Sequence, residues 1–396
     1  MQTLLKFLFV LTLIELFVGG GGRVFELGPF TLRMLLFVLN ILLIVVLYFE
    51  RSKIPIYVLF LVFAVTGLLF GYSLLGWLNG APIMLIMEDV KPLSYFMSAV
   101  FFSYYIDSES RVMLVTSWIK KTALFMALAY LVVQSLFFLG KIDFLPFYQY
   151  VNQQISPSDF IFRGTHGLFF YKGFVYMVIG LIFWIHSTDA KRKIVPIIVI
   201  MTAMVLTGTR GFILMFGLIY ALFYGIPLLL RLNIKVLVLA GLLIMGSLYF
   251  FGNFELGDKE LSDSIRVQQL VQVAERIDPI SFIIGHGFGI GVPVREVHME
   301  IGYLEVFHKQ GIVGLVIWAL FFLILYNAIV KGKSFPEIRK SYLLSALLVI
   351  LLSLTNPFFN NPIGISLFVI VLVSMNTLNQ QEKIRGETIL LKDSII

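Results

Sequence analysis

The chain has 396 residues, of which 59% are hydrophobic and only 13% charged, and it carries 39 phenylalanines. A water-soluble fold of this length cannot hide so much apolar surface, which excludes a soluble enzyme and points to a polytopic membrane protein. The net charge of +7 then marks a cytoplasmic side rather than a nucleic-acid partner, and the lack of any cysteine excludes disulfides and thiolate metal sites.

The first apolar run, 4–18, leads into GGGGRVFELG instead of a small-x-small cleavage site, so it reads as a retained span. Further runs fall at 31–49, 54–71, 92–106, 122–139, 168–186, 194–209, 211–230, 234–251, 311–330, 341–355 and 362–378, giving about twelve spans. Several are shorter than the roughly 17–20 residues needed to cross a bilayer and must borrow flanking residues. GAPIMLIMEDV, 80–90, is too short to span and reads as an interfacial or re-entrant piece. Glu15 is almost the only carboxylate deep in a predicted span. The expected class is therefore an all-α membrane protein, one domain over 1–396.

Lysine and arginine recur in ERSK (50–53), SWIKK (117–121), DAKRK (189–193), RLNIK (231–235), KGKSFPEIRK (331–340) and the tail 379–396. The positive-inside rule puts these segments, and both termini, in the cytoplasm. The opposite side then carries two long loops, about 140–167 and 252–300, with the short TGTRG turn between them. Arg163, Arg210, Arg266, Arg295 and His298 all fall on that outer side, where the charge rule does not ask for arginine.

Arg210, in VLTGTRGFILMFG, is placed either to snorkel at the interface or to bind an anion with its planar fork of donors. Flanking Gly208 and Gly211 would let the backbone turn sharply. Arg266 lies in ELSDSIRVQQLVQVAERI, which has the period of a short amphipathic helix with Ser262 or Asp263 as cap. Ile265, Val267, Leu270, Val271, Ala274 and Ile277 carry that period, and a solvated helix face is the plainer reading. GHGFGIG lacks the spacing of a dinucleotide fingerprint, and its glycines are better suited to a compact turn. HME is not HExxH, so no zinc site is read there. On a helix beginning near Val297, His298, Ile301, Glu305 and His308 would share one face, and a histidine there can accept a hydroxyl proton. His166, His186 and Arg276 read as interfacial or solvated residues.

In this order, TGTRG (207–211), Arg266, GHGFG (285–289), His298 and YLEVFHKQGIVGL (303–315) resemble the C-terminal region of the O-antigen polymerase and O-antigen ligase superfamily. These are bacterial integral-membrane glycosyltransferases. The resemblance is specific over about 195–330, and FRGTHGLFF (162–170) is similar to a further arginine element that nominates Arg163. It departs from the family at Met299, where asparagine is common. The resemblance implies a GT-C-like helical bundle with an extended helical periplasmic loop, in the bacterial inner membrane. It implies catalytic roles for Arg210, Arg266 and His298. Arg163, Arg295, Glu305 and His308 are added as substrate-binding candidates.

The function so implied is polymerisation of polyprenyl-pyrophosphate-linked oligosaccharide repeat units on the outer face, for O-antigen or another surface polysaccharide. The two arginines would stabilise the diphosphate and His298 would act as base, giving inverting transfer with no cofactor or metal. The partners implied are an undecaprenyl-pyrophosphate-linked glycan, membrane lipid, and a flippase and chain-length regulator of the same pathway. A ligase moving glycan to a lipid A core shares the machinery. A lipid-linked glycan flippase would use the same arginines, but it calls for charges at midplane rather than at one rim.

Overall fold

A computed structural model describes residues 2–21, 26–27, 30–51, 54–151, 153, 160–163, 168–189, 191–225 and 259–393. The expected span 234–251, the RLNIK turn, the end of the 211–230 run, the start of the outer loop at 252–258 and His166 lie outside the described residues.

The described chain is mainly helical. In order it forms α1 (Gln2–Val18), α2 (Leu32–Arg51), α3 (Ile56–Leu78), α4 (Ile83–Ser94), α5 (Ala99–Tyr105), α6 (Glu109–Phe138), α7 (Phe144–Tyr150), α8 (Phe174–Ile185), α9 (Ile194–Leu206) and α10 (Arg210–Tyr220). After the break come α11 (Lys259–Arg276), α12 (Pro279–Ile284), α13 (Gly302–Val330), α14 (Pro336–Leu352) and α15 (Pro362–Asp393). This agrees with the expected all-α class. Two antiparallel hairpins interrupt it, β1 (Glu26–Leu27) with β2 (Phe30–Thr31), and β3 (Phe160–Arg163) with β4 (Leu168–Tyr171).

Among the described residues, four helices are long and apolar enough to cross a membrane: α3, α6, α13 and the first 26 residues of α15. α8, α9 and α10 are shorter apolar helices, as is the front of α2. The expected count of twelve is therefore not reached on the described chain. SWIKK, expected as a loop, lies inside the 30-residue α6, and the expected tail from 379 continues α15 as helix. The 80–90 stretch opens α4, which passes through a tight turn at Tyr95–Ser98 into α5.

Burial is distributed as expected for a bundle in lipid. The spanning window of α15 is 83% buried, against 17% for α3, whose Phe60, Phe63 and Phe70 point outward. α15 is thus the central post, packed by α1, α5, α6, α13 and α14. Apolar side chains on the periphery need no partner in hydrocarbon, whereas every backbone polar group does, so helices dominate. Close approach uses small residues. A Cβ on Gly180 of α8 would sit 2.1 Å from Ala123 Cβ on α6.

The two ends of the bundle are chemically distinct. At one end, Trp184 donates to the Lys120 carbonyl, Arg385 pairs with Glu109, and the Glu382 carboxylate accepts the N–H groups of Lys333 and Ser334. At the other, the Tyr171 hydroxyl donates to the Val18 carbonyl, and Arg266 reaches the carbonyl of Thr355. Of the segments expected on one side, 331–340 contacts the tail through Glu382, while RLNIK and parts of both outer loops lie outside the described residues.

Candidate active site

A break in α13 builds the site. Gly311 has φ 65° and ψ −163°, outside the helical region, so the helix up to Gln310 and the helix beyond are separate pieces. A kink frees carbonyls that lipid cannot satisfy. Here the GHGFG turn satisfies them. His286 N–H donates to the His308 carbonyl at 3.0 Å, Gly287 N–H to that of Lys309 at 2.9 Å, and the Tyr72 hydroxyl to that of Gln310 at 3.0 Å. Gly285, Gly287 and Gly289 all have positive φ, and a Cβ on Gly287 would lie 2.1 Å from the Gly76 nitrogen of α3. The glycines do make a compact turn, and its task is to dock on the α13 break.

The kink turns Glu305 and Lys309, neighbours at i and i+4, toward Asp89 of α4. Lys309 Nζ lies 2.7 Å from Asp89 Oδ1 and 2.7 Å from Glu305 Oε1, and also donates to the Val297 carbonyl. All three of its protons are therefore placed. Glu305 Oε2 accepts from Asn360 Nδ2 at 2.8 Å, and Asp89 Oδ2 accepts from Gly289 N–H at 2.8 Å. Asp89, Glu305 and Lys309 are all buried. Burial pushes the Asp89 carboxyl above the ordinary carboxylate range, while the Lys309 ammonium pulls it back.

His298 faces this cluster. Its Nδ1 is 3.4 Å from Glu305 Oε1 and 3.8 Å from Asp89 Oδ1, and its side chain is 48% exposed. The expected helix from Val297 does not form, because α13 starts only at Gly302. The backbone ahead of it is held by side chains instead. Lys309 takes the Val297 carbonyl and Gln269 Oε1 takes the Glu300 N–H, while Gly302 N–H goes to the Ser353 carbonyl. His298 thus meets Glu305 from a loop rather than along a shared helical face. His308 does not join them. It is buried and stacks on His286 with ring centroids 4.4 Å apart.

α11 carries the His298 loop on its polar side. Gln269 and Val273 are buried, while Val267, Leu270 and Val271 are exposed. The physical reason is the loop's free backbone. Gln272 Oε1 accepts the Val294 N–H, and Arg276 donates to the Gly291 carbonyl at 2.6 Å. The chain is already helical at Lys259, so Ser262 and Asp263 lie within α11. Asp263 pairs with Arg266 at 3.0 Å.

Glu300 joins two of the candidate arginines, lying 3.2 Å from Arg266 Nε and 3.0 Å from Arg295 Nη2. Arg266 Nη2 also reaches the Thr355 carbonyl at 3.4 Å. Gly211, next to Arg210, comes against the same residue, since a Cβ there would lie 3.8 Å from Thr355 Oγ1. Arg210 itself is the first residue of α10, after Gly208 at φ 62°. Only Gly208 of the two flanking glycines is needed for backbone shape. Arg163 ends strand β3, opposite Leu168, and only its backbone is described.

The connection 353–361 between α14 and α15 is thus the hub. Ser353 receives Gly302, Thr355 receives Arg266 and abuts Gly211, and Asn360 holds Glu305. Sequence reading missed this segment, and it missed Asp89 and Lys309. A carboxylate in apolar IMEDV and an i,i+4 Glu–Lys pair in a span were the available signals.

A cavity of about 20 Å³, room for about one water-sized group, lies among Asp89, His298, Glu305, Lys309 and Asn360. Ligand atoms of Asp89, His298 and Glu305 come within 4.8 Å of one another. The cation actually seated between the carboxylates is the Lys309 ammonium. Chemically, a carboxylate behind Nδ1 selects the tautomer with a proton there and leaves the Nε2 lone pair outward, an arrangement suited to general base catalysis.

The chain is 29% identical over 386 residues to a protein of Shigella flexneri named O-antigen polymerase, covering 94% of this chain and 95% of the relative. No family model matches the chain, and no solved structure matches it significantly. The match runs through the site and nearly all the spans, and it supports the O-antigen polymerase and ligase superfamily that the motifs resemble.

Proposed function

From that full-length similarity as premise, we propose that this protein polymerises lipid-linked oligosaccharide repeat units in O-antigen synthesis, as a multi-pass glycosyltransferase of the bacterial inner membrane. The donor in this reading is a glycan on polyprenyl pyrophosphate, and the acceptor is the hydroxyl of another repeat unit.

His298 is the general base. Its Nε2 takes the proton of the acceptor hydroxyl while that oxygen attacks the anomeric carbon. The bond from that carbon to the diphosphate oxygen breaks, and the polyprenyl diphosphate leaves with the electron pair. A single displacement inverts the anomeric centre. Arg210 and Arg266 neutralise the diphosphate through planar guanidinium donors, which strengthens as charge develops on the leaving group. Glu300 holds Arg266 and Arg295 together at 3.2 Å and 3.0 Å, which gathers both guanidinium groups at one site. Glu305 orients the base. No metal enters this scheme, because the arginines supply the positive charge that the diphosphate needs. His308, stacked on His286 away from the cluster, is a structural residue in this reading. The site opens on the outer face, with both termini cytoplasmic.

The observation that carries the reading is the His298 ring, half exposed and backed by two carboxylates, in a loop held by the helix of Arg266. The test separates the two chemical steps. His298→Ala should bind a polyprenyl-pyrophosphate glycan with near-normal affinity and transfer nothing. Arg210→Ala should weaken binding itself. Wild-type transfer by His298→Ala removes the base, and loss of transfer on adding chelator removes the metal-free scheme.

A further inference from the structure

We propose that Asp89 and Lys309 are positioning residues for the transfer reaction, forming with Glu305 a buried carboxylate–ammonium–carboxylate unit that sets the charge and tautomer of the His298 ring. The inference rests on the reading of His298 as the base.

Lys309 cannot itself grip a diphosphate. Its three protons are committed to Asp89, Glu305 and the Val297 carbonyl, and its side chain is 3% exposed. Its effect is on the oxygens it bridges. Asp89 Oδ1 and Glu305 Oε1 are the same two atoms that lie 3.8 Å and 3.4 Å from His298 Nδ1. The ring therefore faces two negative charges and one positive, a net of one negative charge, with Glu305 alone at hydrogen-bond distance. The remaining carboxylate oxygens are tied by Gly289 N–H and Asn360, so neither group can rotate to a different partner.

Among the described residues, the charged groups around the ring can be named. α4 supplies Asp89, and α13 supplies Glu305 and Lys309. On the loop itself, Glu300 is taken by Arg266 and Arg295, and Glu296 is exposed. The connection before α15 contributes the neutral Asn360. One net negative charge behind Nδ1 favours the imidazolium that forms as the hydroxyl proton arrives, and it keeps Nε2 as the acceptor. Without Lys309, two buried carboxylates would repel each other and compete for a proton. Without Asp89, lysine and Glu305 would cancel.

A mere staple between α4 and α13 predicts something different, because it depends on shape and not on the sum of charges. The experiment follows the His298 ring by NMR in 15N-histidine-labelled protein in detergent, assigned with His298→Gln. The acid limb of the transfer rate is recorded in parallel. Asp89→Asn keeps the shape and removes one charge. Its ring titration midpoint and acid limb should both fall below those of the wild-type protein. Glu305→Gln should move the midpoint the same way, and serves if Asp89→Asn does not fold. The double variant Asp89→Asn with Lys309→Met restores one net negative charge and should bring the midpoint back toward wild type. An unmoved midpoint in a folded single variant overturns the proposal. Full transfer by His298→Gln would instead sink the base itself, an outcome distinct from failure of the positioning unit.

Discussion

Lys309 Nζ lies 2.7 Å from Asp89 Oδ1, a residue 220 positions away, in a pair with both side chains almost wholly buried. Removing one partner of such a pair leaves an uncompensated buried charge and costs about 3–5 kcal/mol. Lys309→Met should therefore lower thermal stability in detergent sharply. Asp89→Asn in the same chain should recover part of the loss, since charge is removed from both sides. Additive losses in the double variant would mean that the two residues are not coupled.

Gly311 is the second structural test. Its φ of 65° with ψ −163° belongs to a region essentially closed to other residues, and a Cβ would lie 2.3 Å from the Ile283 carbonyl oxygen. Backbone strain of this kind costs about 1–3 kcal/mol before the clash is counted. Gly311→Ala should lower the melting temperature and also reduce transfer, because the kink aims both Glu305 and Lys309. An active variant of wild-type stability would show that the break in α13 is not needed.

Arg210 and Arg276 should behave oppositely. Arg210→Lys keeps the charge but loses the planar fork, and transfer from a purified lipid-linked donor should fall at least tenfold, a loss of about 1.4 kcal/mol in transition-state binding. Arg276 donates to the Gly291 carbonyl and only steadies the loop, so Arg276→Ala should be mild. Full activity in Arg210→Lys would reduce Arg210 to a point charge.

The orientation is tested by single cysteines in this cysteine-free chain. An impermeant thiol reagent applied to intact cells, with the outer membrane made permeable, should label a cysteine beside Lys259 and spare one beside Arg192. The reverse pattern would invert the bundle and remove the site from the outer face.

Hydropathy alone was enough to mark the membrane-crossing character, since apolar runs need no partner to be recognised. The order of Arg210, Arg266, the GHGFG turn and His298 also pointed to one region, and the structure joins Arg266, the Arg210 turn and the His298 loop around the 353–361 connection. Other features depended on long-range partners. His298 lies off the helix because Lys309 and Gln269 claim its backbone neighbours, which no local periodicity records. α11 meets the loop backbone through Gln269, Gln272 and Arg276, which its apolar period does not record. Asp89 could be seen as a carboxylate in apolar sequence, but its partner comes from another helix. His308, spaced correctly for the face of Glu305, was drawn away by the stack with His286.

The most direct measurement of the central claim uses purified protein in lipid with a synthetic undecaprenyl-pyrophosphate repeat unit, without nucleotide sugar, and resolves the products by size. The account predicts a ladder of lengthened glycan that persists with chelator present and disappears in His298→Ala. Bound donor with no new glycosidic bond in the wild-type protein, or a single transfer seen only when lipid A core is supplied, would contradict it.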